Sequence, residues 1–466
     1  MTSSHESKVQ HLATTILQFY KAKKPFRVFH GSTNSTRVLT FKRDEMIDIS
    51  DLNTVLSIDA SKRTAVVEPN VPMDTLVQAT LPHGLIPPIV MEFPGITVGG
   101  AIQGNGGESS SFKWGAFNQT FNWYELITAE GDIKKVSKES DQDLYQAIPG
   151  SAGTIALLTS AEVNLVPAKK YVQLRYTVVD SFIDAKEKLL QLANTQIDFL
   201  DGIMFSKNSG VIISGTFSDT KTNVQRFSRA RDEWYYLHVE KQLKSKPTGW
   251  TETVPLTDYL FRYDRGAFWV GRFAFEMSKV PYNRFTRWLL DSILHTRKLY
   301  QALQESGASQ QHVVQDLVLP AERFVEFSEF IDTELNTYPL WLCPMLPDRT
   351  SPFQLNNLTT ESIINVGVWG ANIPNYDDFI TVNRRIEQNI LEVGGKKWSY
   401  AHSYFTEKEF WSSYDKNLYD TIRKKYGASL LPTIYDKVTV KQRHPVHKKK
   451  AALRAILGLS KLKIEK

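Results

Sequence analysis

Six glycines fall among the fourteen residues Pro94–Gly107, in the run PGITVGGAIQGNGG. No long helix or regular strand passes through such a segment. Without Cβ atoms the backbone can adopt positive φ and approach another group closely. Exposed N–H groups in turns of this kind suit a pyrophosphate. The run lacks GxxxxGK[ST], so it is not a P-loop. Gly104-Asn105-Gly106 has Ser109 where a Rossmann fingerprint needs Gly or Ala. A tight corner without a ligand stays open as an alternative. A second small-residue turn, Pro149-Gly150-Ser151-Ala152-Gly153-Thr154, precedes an apolar stretch and lacks the GxSxG spacing of a serine-hydrolase elbow. Two such turns fit two approaches to one extended cofactor.

Helical spacing of Val9, Leu12, Ile16 and Phe19 predicts a first helix over residues 7–23. Strands are predicted at Phe26–Phe29, Thr64–Glu68 and Leu157–Pro167, a helix at Met73–Leu81, and a hairpin of Trp123–Ala129 and Ile133–Val136 around Glu130-Gly131-Asp132. After Lys169-Lys170, longer amphipathic segments alternate with strands such as Val211–Thr216 and Ser362–Val368. The fold class is α+β, with a strand-rich first third and a mixed second domain. A chain of 466 residues can bury a large core unaided. Cys343, the single cysteine, excludes an intramolecular disulfide and a cysteine-rich zinc site, and no metal site is predicted.

The loop His30–Thr36, the loop Pro94–Gly100 and the turn Gly150–Thr154 followed by Leu157–Val166 together resemble the FAD-binding domain of the vanillyl-alcohol-oxidase (PCMH) type. GITVGGAIQGNGGESSSFKWG, VPAKKYVQLRY, QHVVQDLVLP, YPLWLCP and EFWSSYDKNLYDTIRKKYG narrow the resemblance to the Δ24-sterol reductase (Diminuto/Dwarf1/seladin-like) group. The resemblance implies a two-subdomain PCMH-type domain over residues 1–170 and an α+β substrate (cap) domain over 171–400. Residues 401–440 would return to the flavin domain, and 441–466 form a basic tail. FAD would lie against Gly31, Ser32, Thr33 and Asn34, and against Pro94, Gly95, Thr97, Val98, Gly99 and Gly100. It would also meet Gly104, Asn105, Gly106, Gly107, Glu108, Ser109, Ser110, Ser111 and Gly115, and Gly150, Gly153, Thr154 and Val163. Many relatives of this type bind FAD covalently through a loop histidine. Gly31–Thr36 contains none and His30 precedes the loop, so non-covalent FAD is expected.

The implied activity is reduction of the Δ24 double bond of a sterol, with NADPH as reductant. Two alternatives remain: a flavin oxidase or dehydrogenase of the same fold acting on an alcohol or another secondary metabolite, and a non-catalytic sterol-binding protein. An isolated C=C bond has no carbonyl to polarise, so a general acid followed by hydride capture is a natural route, in an apolar pocket. Candidate catalytic residues are Tyr263 and Arg265 in the run YLFRYDRGAFW, His312 and Asp316, and Tyr400. The first run also reads as a salt-bridged strand with Asp264 paired to Arg262 or Arg265. His312 and Asp316 share a face in either a helix or a strand, and also read as a structural pair.

The net charge is +6, yet residues 441–466 hold nine Lys or Arg against one Glu. The body is therefore slightly acidic and the tail strongly basic. Leu453, Ile456, Leu457 and Leu459 beside Lys449, Lys450 and Arg454 suit peripheral contact with an anionic membrane. A solvated terminus is the alternative, and no nucleic-acid motif is present. The N-terminus lacks a signal-peptide core and no stretch reaches about 18 apolar residues. The expectation is a cytoplasmic protein without a transmembrane segment, peripheral at the endoplasmic reticulum. No sequence signal specifies an oligomeric state.

Overall fold

The strands sort into two main sheets according to where they fall in the chain. A computed structural model describes residues 4–447, 454 and 462–465. The first sheet is antiparallel and five-stranded, in the order Val55–Asp59, Thr64–Val67, Ala156–Asn164, Phe121–Thr128, Ile133–Ser137. Ala156–Asn164 lies at its centre and is buried along most of its length, as its apolar composition requires. Gly131, at φ 92°, closes the hairpin after Phe121–Thr128. The helix His5–Lys21, capped by Ser4, turns Val9, Leu12, Ala13 and Ile16 inward against Ile127 and Leu157 of this sheet. Beside it, Arg27–Phe29 pairs in parallel with Met46–Asp48.

Every strand of the second sheet follows residue 170. Its eight antiparallel strands run Trp250–Pro255, Tyr171–Val179, Ser209–Ser218, Phe199–Ser206, Leu340–Met345, Ile363–Asn372, His312–Pro320, Lys396–Lys397. The helices Phe182–Ala193, Phe324–Leu335 and Tyr376–Glu392 pack against it in a row. Side chains alternate along a strand. In Leu340–Met345, Leu340 and Leu342 point one way, and Trp341, Cys343 and Met345 point the other, into a cleft. One continuous apolar core joins both sheets, from Ala65 to Val438.

The chain then returns to the first sheet. The helix Lys416–Lys425 sets Tyr419 Oη 2.7 Å from Thr154 Oγ1, and Lys425 pairs with Asp143. Residues 440–447 run along the surface, mostly exposed but tied down at three points: Val440 N–H donates to Ser403 O, His444 N–H to Gln310 Oε1 and His447 N–H to Ser306 O. Arg454 pairs with Glu305, and Lys463–Glu465 runs parallel to Thr40–Lys42. Lys449, Lys450, Leu453, Ile456, Leu457 and Leu459 lie outside the described residues. Among the described residues no helix is long and apolar enough to cross a membrane.

Candidate active site

A cleft of about 310 Å³ is walled by both sheets, by the glycine-rich run and by the returning C-terminal segment. Thr97 caps the short helix Val98–Gln103, its side chain accepting from Gly100 N–H, so the glycine run forms one helical turn between two loops. Several of its glycines are closely packed, Gly99 against the rigid Pro69 and Gly106 and Gly107 against methionine side chains. A Cβ at Gly99 would fall 2.7 Å from Pro69 Cβ, at Gly106 2.6 Å from Met91 Sδ, and at Gly107 2.7 Å from Met345 Cε. Gly100 differs: it is exposed and a Cβ there meets only its own capping hydroxyl. In the second turn, Gly150, Ala152 and Gly153 all have positive φ, at 75°, 51° and 70°. Glycine is therefore required by backbone conformation at the first and last of these positions.

Of the residues expected to contact the cofactor, Ser32, Thr33, Asn34, Gly95, Thr97, Gly99, Gly100, Gly104, Gly106, Gly107 and Gly153 line the cleft. The others lie behind it. Gly31 takes φ 79° beside Ser50. Val98 and Val163 are fully buried in the core, and Pro94 accepts a hydrogen bond from Arg297. Asn105 bonds Asn118, and its carbonyl accepts from Trp398 Nε1. Gly115 packs on Gln119, and Gly150 on the Phe353 carbonyl. Thr154 is buried against Tyr419. The Glu108–Ser111 segment is also buried: Ser111 Oγ accepts from Glu108 N–H, Ser110 O accepts from Lys113 N–H, and Ser109 Oγ sits 3.1 Å from Tyr259 Oη. Glu108 pairs with Arg262 at 3.3 Å, and Arg262 also reaches Asp201 at 2.8 Å. This buried triad joins the glycine run to the second sheet.

The five candidate catalytic residues divide in the same way. Asp316 and Tyr400 line the cleft and meet there: Tyr400 Oη donates to Asp316 Oδ2. Asn365 Nδ2 (2.9 Å) and Trp369 Nε1 (3.2 Å) donate to the same carboxylate. Gly367, opposite Asp316 in register, makes room for it; a Cβ there would fall 2.9 Å from Asp316 Oδ1. Burial raises Asp316 to about 6 despite its three donors. Tyr400 is pushed well above the usual phenol value by burial and the Asp316 charge.

Tyr263, Arg265 and His312 do not line the cleft. Tyr263 Oη donates to Asp201 at 3.2 Å. Arg265 is held by Asp291 at 2.8 Å and by the carbonyls of Phe227, Ala230 and Asp232. Asp264 is bonded to His295 and Thr296 rather than to either neighbouring arginine. His312 opens its strand and packs on Phe273, while a bulge after it breaks the register toward Asp316.

A cationic group in the cleft has no counterpart in the sequence reading. Arg27, Arg37 and Lys437 all line it, and among the described residues none has a carboxylate within ion-pair distance. Arg27 Nε and Arg37 Nε are buried without partners, while Lys437 Nζ donates to the Ala152 carbonyl beside Gly153. Burial and the two arginines push Lys437 down to about 7. The three are half-buried, and their hydrogen bonds go to backbone carbonyls, Arg27 to Thr40 and Arg37 to Ser399 and Ala401, with Glu45 the one acidic group felt by Arg27. Like charges gathered in one cleft suit an anion such as the pyrophosphate of FAD. His30 also lines the cleft, its Nδ1 unpartnered; burial and nearby Lys437 lower it to about 4.

The family described as FAD binding domain matches residues 7–137. The Delta(24)-sterol reductase of Macaca fascicularis is 30% identical over 419 residues, 88% of this chain and 81% of that protein. The Delta(24)-sterol reductase homolog dhcr-24 of Caenorhabditis elegans is 32% identical over 435 residues, 87% of this chain and 79% of its own length. The Delta(24)-sterol reductase of Pisum sativum is 30% identical over 427 residues, 82% and 74% of the two chains. The likeness thus runs through the glycine run, the second sheet and the returning segment alike: this chain is an FAD-dependent oxidoreductase and belongs to the Delta(24)-sterol reductase family.

Proposed function

We propose that the protein reduces the Δ24 side-chain double bond of a sterol, with FAD held non-covalently and NADPH as electron donor. The observation that carries this reading is the meeting of Asp316 and Tyr400 in a cleft otherwise walled by Phe93, Tyr300, Trp341 and Trp369. Aromatic walls beside the Asp316–Tyr400 pair suit an alkene that offers no carbonyl to polarise. Bound FAD would supply the hydride chemistry. Arg27, Arg37 and Lys437 would neutralise its pyrophosphate, with the Ser32–Asn34 loop, Gly100 and Gly153 beside them. Asp316, oriented by Asn365, Trp369 and Tyr400, would face positive charge developing on the substrate. Tyr263 and Arg265 would position rather than react, the first through Asp201 and the second through Asp291.

In this reading residues 1–170 form a two-subdomain PCMH-type flavin domain and 171–400 a substrate domain. Residues 401–440 close the flavin site, and 441–466 form a basic extension. Peripheral contact with a membrane would deliver the substrate. Phe285, Trp288 and Leu289 support this: they are 64%, 50% and 60% exposed beside the exposed Arg284. They precede the helix Thr296–Ser306, which carries Tyr300 to the cleft. Aromatic and basic residues together suit a headgroup region.

The test is anaerobic. NADPH should bleach the flavin of the purified holoprotein, and a Δ24-sterol should restore it with one saturated product per flavin. Flavin reduced by an alcohol and reoxidised by O₂ with release of H₂O₂ would refute the reading.

A further inference from the structure

The cleft is lined by two carboxyl groups, Glu92 and Asp316, in opposite surroundings. Asp316 accepts three hydrogen bonds, from Tyr400, Asn365 and Trp369. Glu92 is 8% exposed, and its buried Oε2 has no hydrogen-bond partner. It sits in the buried stretch Ile89–Phe93 that leads into the glycine run. The charges that face it are Glu108 and Asp316, both repulsive, and Arg262, attractive but already shared between Glu108 and Asp201. Tyr300, Tyr400 and Cys343 are the other titratable groups within its field.

Hydrogen bonds to a carboxylate favour its charged form, whereas burial without donors favours the neutral acid. Two carboxyls whose surroundings push them apart in this way divide acid and charge-stabilising roles between them.

Resting on the alkene-reductase reading above, we propose that Glu92 is the proton donor of the reaction, delivering its carboxylic proton to one alkene carbon while ionised Asp316 faces the charge that develops on the other. The Glu92 O–H bond breaks as a C–H bond forms with the alkene's π electrons. The second carbon, left electron-deficient, would take up the hydride that bound, reduced FAD supplies. The products are a saturated C–C bond, oxidised cofactor and a Glu92 carboxylate, which regains its proton from solvent. Burial and the neighbouring negative charges raise Glu92 well above the usual carboxyl range, which favours its acid form.

The experiment uses flavin-loaded Glu92→Gln and Glu92→Asp proteins. Glutamine keeps the size and removes the acid proton. The infrared spectrum of the wild type at pH 7 should show a protonated carboxylic acid band that is missing from Glu92→Gln. In rapid-reaction traces the Glu92→Gln flavin should still be reduced by NADPH, but its reoxidation by a Δ24-sterol should slow by about 100-fold or more. Glu92→Asp should recover part of that rate. Reoxidation of Glu92→Gln within tenfold of the wild type, or a band that survives the substitution, overturns the assignment of Glu92 alone. A wild-type flavin that no Δ24-sterol reoxidises overturns the alkene-reductase reading itself.

Discussion

Replacing Lys437 with methionine should weaken FAD binding and abolish its pH dependence. Lys437 stands at about 7 because of burial and the charges of Arg27 and Arg37. Without flavin, about half of the molecules carry the Lys437 proton at pH 7. A pyrophosphate beside the ammonium favours its charged form, so its value rises in the complex and binding takes up a proton. The resulting affinity is fully present below the flavin-free value. It declines as pH rises, until the higher value in the complex is passed. For one such group the apparent Kd rises about 15-fold between pH 7 and 8.5, before Arg37, lowered to about 9, contributes. Flavin-free protein titrated with FAD, followed by quenching of flavin fluorescence at constant ionic strength, measures this directly. Lys437→Met should bind more weakly at pH 6 and show a flat profile up to pH 8.5. A wild-type Kd that changes less than threefold across that range, or a methionine variant that keeps the slope, would refute the argument.

Arg262→Met should cost about 3–5 kcal/mol, because Glu108 and Asp201 stay buried without their shared partner; a denaturant titration with no shift in midpoint speaks against this. Gly367→Ala should leave flavin content intact and slow sterol-dependent flavin reoxidation by about tenfold or more, since the new methyl displaces Asp316 Oδ1 from 2.9 Å; unchanged reoxidation would show that the Asp316 position is not critical. Phe285→Ser combined with Trp288→Ser should reduce co-sedimentation with anionic liposomes at high salt without loss of flavin, and equal sedimentation would remove that patch from the membrane contact. Acid precipitation should leave all flavin in the supernatant; a yellow pellet would mean a covalent bond, with His30 the first residue to replace.

Local patterns carried much of the fold. The Val9–Phe19 spacing matches the helix His5–Lys21, and the turn Glu130-Gly131-Asp132 joins the strands flanking it. The glycine run reads as a close approach of backbone to something, yet a sequence does not say to what: Gly99 meets Pro69, whereas Gly100 is exposed and meets only the Thr97 hydroxyl. Density of chemistry in a short run was a poor guide. Tyr263 and Arg265 sit among polar neighbours because they belong to buried networks around Asp201 and Asp291. Asp316 and Tyr400 were each visible, but their meeting depends on a strand order that places Asn365 and Trp369 beside them. Arg27 and Arg37 carry no motif between them and Lys437 is distant in the chain, so only the folded cleft makes them a group. Glu92 sits in an apolar stretch where the sequence offers no sign of its missing partners.

The C-terminal return has a consequence for how the protein is made. Strands of the first sheet are complete by residue 164, yet Trp398 and Tyr400 supply part of the cleft wall and Lys437 lies over Gly153. A nascent chain that has folded only its first third presents the glycine run without these walls. Domains form in order as synthesis proceeds, and contacts between distant segments come last. If these walls hold the cofactor as proposed, flavin capture would wait for the final segment to dock. A chain stalled or cut before Lys437 would be structured in its first sheet but colourless, with apolar surface exposed for quality control to recognise.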